Sequence, residues 1–112
     1  MLDRTKALLA TEPDASDPQG LLSDILHAAI ELLSIEGNDF AWSSWRDQRE
    51  AVEEVTALLS AIEAGNLPDR VDVAVLFAPT GPIQEVSVSS GWGDTFLKLA
   101  ERYDHAAKLL WP

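Results

Sequence analysis

Two histidines, one threonine-glycine turn and two pairs of carboxylates are the residues whose types and spacing could do chemistry in this chain. His27 has Asp24 at i−3 and Glu31 at i+4, and His105 has Glu101 at i−4. Imidazole and carboxylate groups at such spacings build metal sites inside helical bundles. His27, however, falls on a polar stripe with Ser23, Asp24, Glu31 and Ser34, opposite the leucines of the same run. Two histidines without a third convergent group make a thin site, so a solvated face is expected there. Thr80-Gly81 could open a helix and present amides to a phosphate. Pro82 removes one donor, Glu85 repels an anion, and the lysine of a phosphate-binding loop is missing. Ser89-Ser90-Gly91-Trp92-Gly93-Asp94 fails in the same way, with Asp94 facing any anion. No serine has the context of a catalytic triad.

The acids are the sharper candidates. Glu50 and Glu53 are three apart in a long helical pattern, and Asp69 and Asp72 are three apart just before VAVLF. This arrangement resembles the all-α nucleoside-triphosphate pyrophosphohydrolases, with aspartate at 69 where that family usually has glutamate. The resemblance implies magnesium held between two adjacent helices for phosphate chemistry, and it covers those four residues alone. If the chain reverses near Asn66, Glu53 lies thirteen residues before the turn and Asp69 three after it. At about 1.5 Å per residue the offset is about 15 Å along the axes, too far for one magnesium bound at about 2 Å. Acids from a second subunit would have to complete the site. The competing reading is a solvated face in which Asp47, Glu50 and Glu54 accompany Arg46 and Arg49.

The elements that must position these groups are mostly helical. The first ten residues suit a short helix, and TEPDASDP after it reads as an acidic connector. Asp17 and Pro18 make a helix start, Leu22, Ile25, Leu26, Ala29 and Leu33 share a face, and Gly37 closes the run. A second long helix begins within NDFAWSSW, with Ser44 and Asp47 as its cap or Asp39 as an earlier start. It carries Trp45, Val52, Val55, Leu59 and Ile62 on its buried stripe and ends at Gly65-Asn66. The last helix takes Asp94 as its N-cap, with Phe96, Leu99, Ala100, Tyr103, Ala107 and Leu110 repeating at three and four.

Residues 68–94 carry conflicting signals. Val71, Val73 and Val75 alternate as in a strand, as do Val86 and Val88, so a two-stranded hairpin at 71–89 is one reading. Pro68-Asp69, Pro79, Thr80-Gly81-Pro82 and Gly91 punctuate the stretch as two short helices, and an isolated hairpin is marginally stable. The run VLFAPTGPIQEVSVSSGWGDTFLKLAERYD also resembles small uncharacterised bacterial helical proteins, in which a Leu-Phe-Ala-Pro-Thr-Gly segment closes a helix and a Gly-Trp-Gly turn leads into the final one. The resemblance covers the C-terminal third and implies helix here; it implies no activity. The fold expected is therefore all-α: a small helical bundle of three longer and one or two short helices, with α+β as the alternative. Residues 1–19 read as a loosely attached N-terminal segment and connector, and 20–112 as a single helical domain.

Composition narrows the function classes. The chain has 112 residues, 46% of them hydrophobic, and no cysteine, which fits one globular domain and excludes disulfides and thiolate chemistry. Neither a secretory leader nor a membrane span is expected in MLDRTKALLA or beyond, so a cytoplasmic location is expected. Nineteen acids against eight bases give a net charge of −11. Nucleic acid and anionic membrane are bound through lysine and arginine, so both are excluded as partners, whereas a basic protein would be attracted. Acidic composition also serves solubility alone. Four tryptophans stand out. Trp45 and Trp111 fit core positions, while Trp42 and Trp92 are less easily placed. Either could anchor a partner, with Asp94 beside the second, or fold back as a lid on the core. The reading is a non-enzymatic acidic interaction protein of the bacterial cytoplasm, of inhibitor or immunity type, needing no cofactor. Its rivals are the magnesium-dependent pyrophosphohydrolase and a purely structural role.

Overall fold

Asp17 opens the central helix of the molecule. Its carboxylate accepts the Gly20 N–H at 3.0 Å, Pro18 takes the first helical position, and helix α2 (Pro18–Leu33) follows. In the computed structural model, which describes residues 2–112, five further helices surround it: α1 (Asp3–Ala10), α3 (Gln48–Glu63), α4 (Arg70–Phe77), α5 (Pro82–Ser90) and α6 (Gly93–Leu110). Among the described residues there is no strand. The all-α expectation holds, with α2, α3 and α6 as the long helices. The hairpin alternative at 71–89 is excluded, because that stretch forms α4 and α5.

Helix α2 buries more than the single face its leucine spacing indicates. Leu22, Ile25, Leu26, Ala29 and Leu33 are buried as expected, but so are Leu21, Ala28 and Leu32. The wider face is needed because α1, α3 and α6 all pack on this helix. Helix α3 contributes Ala51, Val55, Leu59 and Ile62 to the core, and α6 contributes Phe96, Leu99, Tyr103 and Ala106. Asp47 alone caps α3, accepting the Glu50 N–H at 3.0 Å; the stretch from Asp39 to Arg46 stays outside the helix. Asp94 is not the cap of α6. Gly91 closes α5 in the left-handed conformation (φ 88°), and the Trp92 carbonyl already accepts the Phe96 N–H, so Asp94 falls within the first turn.

The N-terminal segment is docked rather than loose. The Glu31 carboxylate on α2 receives the backbone N–H groups of Arg4 (3.1 Å) and Thr5 (2.8 Å) and lies 2.8 Å from the Thr5 hydroxyl. It thereby satisfies donors at the N-terminus of α1, which no side chain of α1 caps. At the other end Arg102 of α6 donates to the Thr11 carbonyl at 2.7 Å, and Leu8 joins the core. Burial pushes the Glu31 carboxyl up, but the hydrogen bonds from Thr5 and Arg4 outweigh it and hold the group below its ordinary 4.5. A carboxylate depressed by folding contributes its stabilisation fully above that ordinary value, and loses it as pH falls through the lowered one. Backbone chemical shifts of residues 3–10 are therefore expected to move towards unfolded values as pH falls below 4.5, ahead of those of α2. In Glu31→Gln that acid-dependent step disappears.

The turn between α4 and α5 explains the glycine of the Leu-Phe-Ala-Pro-Thr-Gly segment. Gly81 has an ordinary φ of −75°, so its need is for space. A Cβ there would come within 2.6 Å of the Val75 carbonyl oxygen and 2.9 Å of that of Ala78, both backbone atoms that cannot swing aside. Thr80 takes the positive φ (61°), an unusual state for a β-branched residue, and its N–H is held by the Gln84 side-chain oxygen. Gly81→Ala is expected to lower unfolding free energy by about 1–3 kcal/mol, read from the denaturant midpoint at unchanged slope.

Candidate functional site

Trp42 sits on the connection between α2 and α3 and is 75% exposed. The loop that carries it is braced on both sides. Asp39 donates its N–H to the Ser90 hydroxyl at 2.9 Å, and its own carboxylate accepts the Ala41 N–H at 2.9 Å. Beyond Trp42, the Ser43 hydroxyl donates to the Phe40 carbonyl, and the Trp45 N–H donates back to the Ser43 oxygen. Phe40 packs against the core and Trp45 is buried within it. The indole of Trp42 is thus held outward between two anchored aromatic residues.

Trp92 is placed differently. It is half-buried against the core, and its Nε1–H donates to the Asn38 side-chain oxygen at 2.9 Å, while Asn38 donates to the Leu32 carbonyl at 2.8 Å. It folds back as a lid, joining the α5–α6 turn to the loop that presents Trp42. Asp94 stays exposed beside that turn.

The four acids of the magnesium reading are not gathered. Glu50 pairs with Arg46, just before α3, at 2.9 Å, and Glu53 pairs with Arg49 along α3 at 3.0 Å. Asp69 precedes α4 without a side-chain capping bond. Asp72 lines a groove opposite Glu54 and Leu58 rather than Glu50 or Glu53. Among the described residues, no group of three or more histidines, cysteines or acids is placed to hold a metal ion. His27 meets Glu63 of α3 at 3.3 Å, while Glu31 is engaged by α1. His105 has a buried Nε2 with no hydrogen-bond partner among the described residues. At Thr80 the amide a phosphate would need is taken by Gln84.

Several shallow depressions mark the surface, three of which bear on binding. One of about 310 Å³ at the α1–α2 junction is bordered by Glu12, Asp14, Asp17 and Asp24, a strongly acidic rim. A second, about 320 Å³, lies among α4, α5 and α6 over Phe77, Phe96 and Tyr103. Phe77 and Tyr103 stack there with ring centres 4.6 Å apart, and burial, then the Asp104 charge, pushes the Tyr103 hydroxyl above its ordinary value. The third, about 350 Å³, runs between α3 and α4. Val75 lines it, and Val71, one turn earlier on α4, is exposed as well. Their signal was the alternation itself: in a helix, valines at 71, 73 and 75 cannot all face inward.

No helix is long and apolar enough among the described residues to cross a membrane. Comparison with models of known families, with characterised proteins and with solved structures finds no match to this chain.

Proposed function

We propose that this chain is a non-enzymatic acidic binding protein of the bacterial cytoplasm, of inhibitor or immunity type, that captures a basic protein. The observation that carries the reading is Trp42, a large aromatic side chain left 75% exposed on a braced loop of a chain with net charge −11. Tryptophan supplies much contact area with few rotatable bonds, which is why it dominates binding hot spots. The surrounding acidic surface steers a basic partner towards it and repels phosphate backbones. Glu50 and Glu53 are paired with arginines, and Glu31 and the Thr80 N–H are held within the fold, which lends further support to a binding role.

The test is capture from native cytoplasm on the tagged chain, washed across a salt series and read by mass spectrometry. The reading predicts one basic protein, retained at low salt and released by moderate salt. An acidic partner retained regardless of salt would overturn it.

A further inference from the structure

Helix α4 is apolar on two sides, and only one of them is covered. Val73, Leu76 and Phe77 enter the core, whereas Val71 and Val75, one turn apart on the opposite side, are 68% and 51% exposed. Two valines left exposed one turn apart on the outer face of a helix are free to meet a neighbour the chain itself does not supply. Beside it runs the groove floored by Ala57, Leu58 and Val75 and flanked by Glu54 on α3 and Asp72 on α4. Among the described residues, neither flanking carboxylate is engaged in a hydrogen bond or ion pair. That contrasts with Glu50 and Glu53 along the same α3, both paired with arginines.

Charge selects the occupant. A second copy of the chain would bring another −11 against this face and set carboxylate against carboxylate, so self-association is opposed. An apolar floor between two free acids complements a segment with an apolar stripe flanked by lysine or arginine. A groove between two helices with an apolar lining suits helix-in-groove docking, in which an amphipathic helix lays its apolar face into it. We propose that the α3–α4 groove receives a basic amphipathic helix of the partner, its apolar stripe on Ala57, Leu58 and Val75 and its cations over Glu54 and Asp72. The inference rests on the partner being basic, as argued above, and adds where and in what form it docks.

The probe is a synthetic helical peptide with leucines along one face and lysines along the other, titrated into the isotope-labelled chain and followed by amide chemical shifts. Shifts are expected to centre on residues 54–58 and 71–75. Val75→Ser and Glu54→Lys alter exposed side chains, so the fold is retained, and each is expected to weaken binding about tenfold. A control peptide with serines in place of the leucines is expected to lose the localised shifts. If shifts scatter over the acidic surface and Val75→Ser binds unchanged, the groove is overturned while the basic-partner reading stands. The same holds if the peptide does not bind although a basic protein is captured from cytoplasm. If neither peptide nor basic protein binds, both fall. A dimer dissociated by Val75→Ser would overturn the choice of occupant.

Discussion

Phe96→Ala lowers unfolding free energy by about 3–5 kcal/mol, the largest single loss expected in the core. The ring is 2% exposed and is the largest side chain so fully buried. It stands on α6 beneath the cleft that α4 and α5 close, beside the stacked pair Phe77 and Tyr103. Short helices that pack largely through such a residue cannot collapse fully into the space it leaves, so a cavity cost adds to the lost transfer energy. Domains of this size hold only about 5–15 kcal/mol in total. At about 4 °C per kcal/mol, Tm should fall by about 12–20 °C. The adjacent Leu97 is 56% exposed, and Leu97→Ala is expected to stay within about 0.5 kcal/mol. Equal losses at the two positions would contradict the packing described.

Trp42→Ala and Trp92→Ala are expected to divide binding from stability. Trp42 is 75% exposed, so its removal should leave unfolding free energy within about 0.5 kcal/mol. Losing a central aromatic anchor costs a complex about 2 kcal/mol or more, which is about thirtyfold or more in Kd. Trp92 packs on the core and donates to Asn38. Its truncation removes packing and strands the Asn38 oxygen, a loss of about 2–4 kcal/mol in stability. Denaturant midpoints and Kd for the captured basic partner measure the two effects separately. A stability loss at Trp42 with binding intact would remove it as the anchor.

The long helices were legible from their apolar spacing, and for α2 from its cap as well, although Asp94 proved not to cap α6. Asp17-Pro18 before α2 and the repeat through Phe96, Leu99 and Tyr103 on α6 are each local signals. Helix α4 was ambiguous because VDVAVLF carries both periods. Burial of Val73, Leu76 and Phe77 at three and four settles it; of the leftover valines, both exposed, Val75 lines the groove against α3. The roles of Glu31 and Trp92 were illegible for another reason. Their partners, Thr5 and Asn38, lie 26 and 54 residues away, and nothing local distinguishes a carboxylate facing water from one that caps a distant helix.

The binding account turns on charge, and the salt dependence of Kd for the chain with its captured basic partner measures it most directly. Raising salt from about 0.1 to about 1 M shortens the Debye length from about 10 to about 3 Å and screens the acidic surface. The account predicts a Kd that weakens progressively across that range, with Trp42→Ala weaker than wild type at every salt concentration. A Kd that stays constant as salt rises would contradict it.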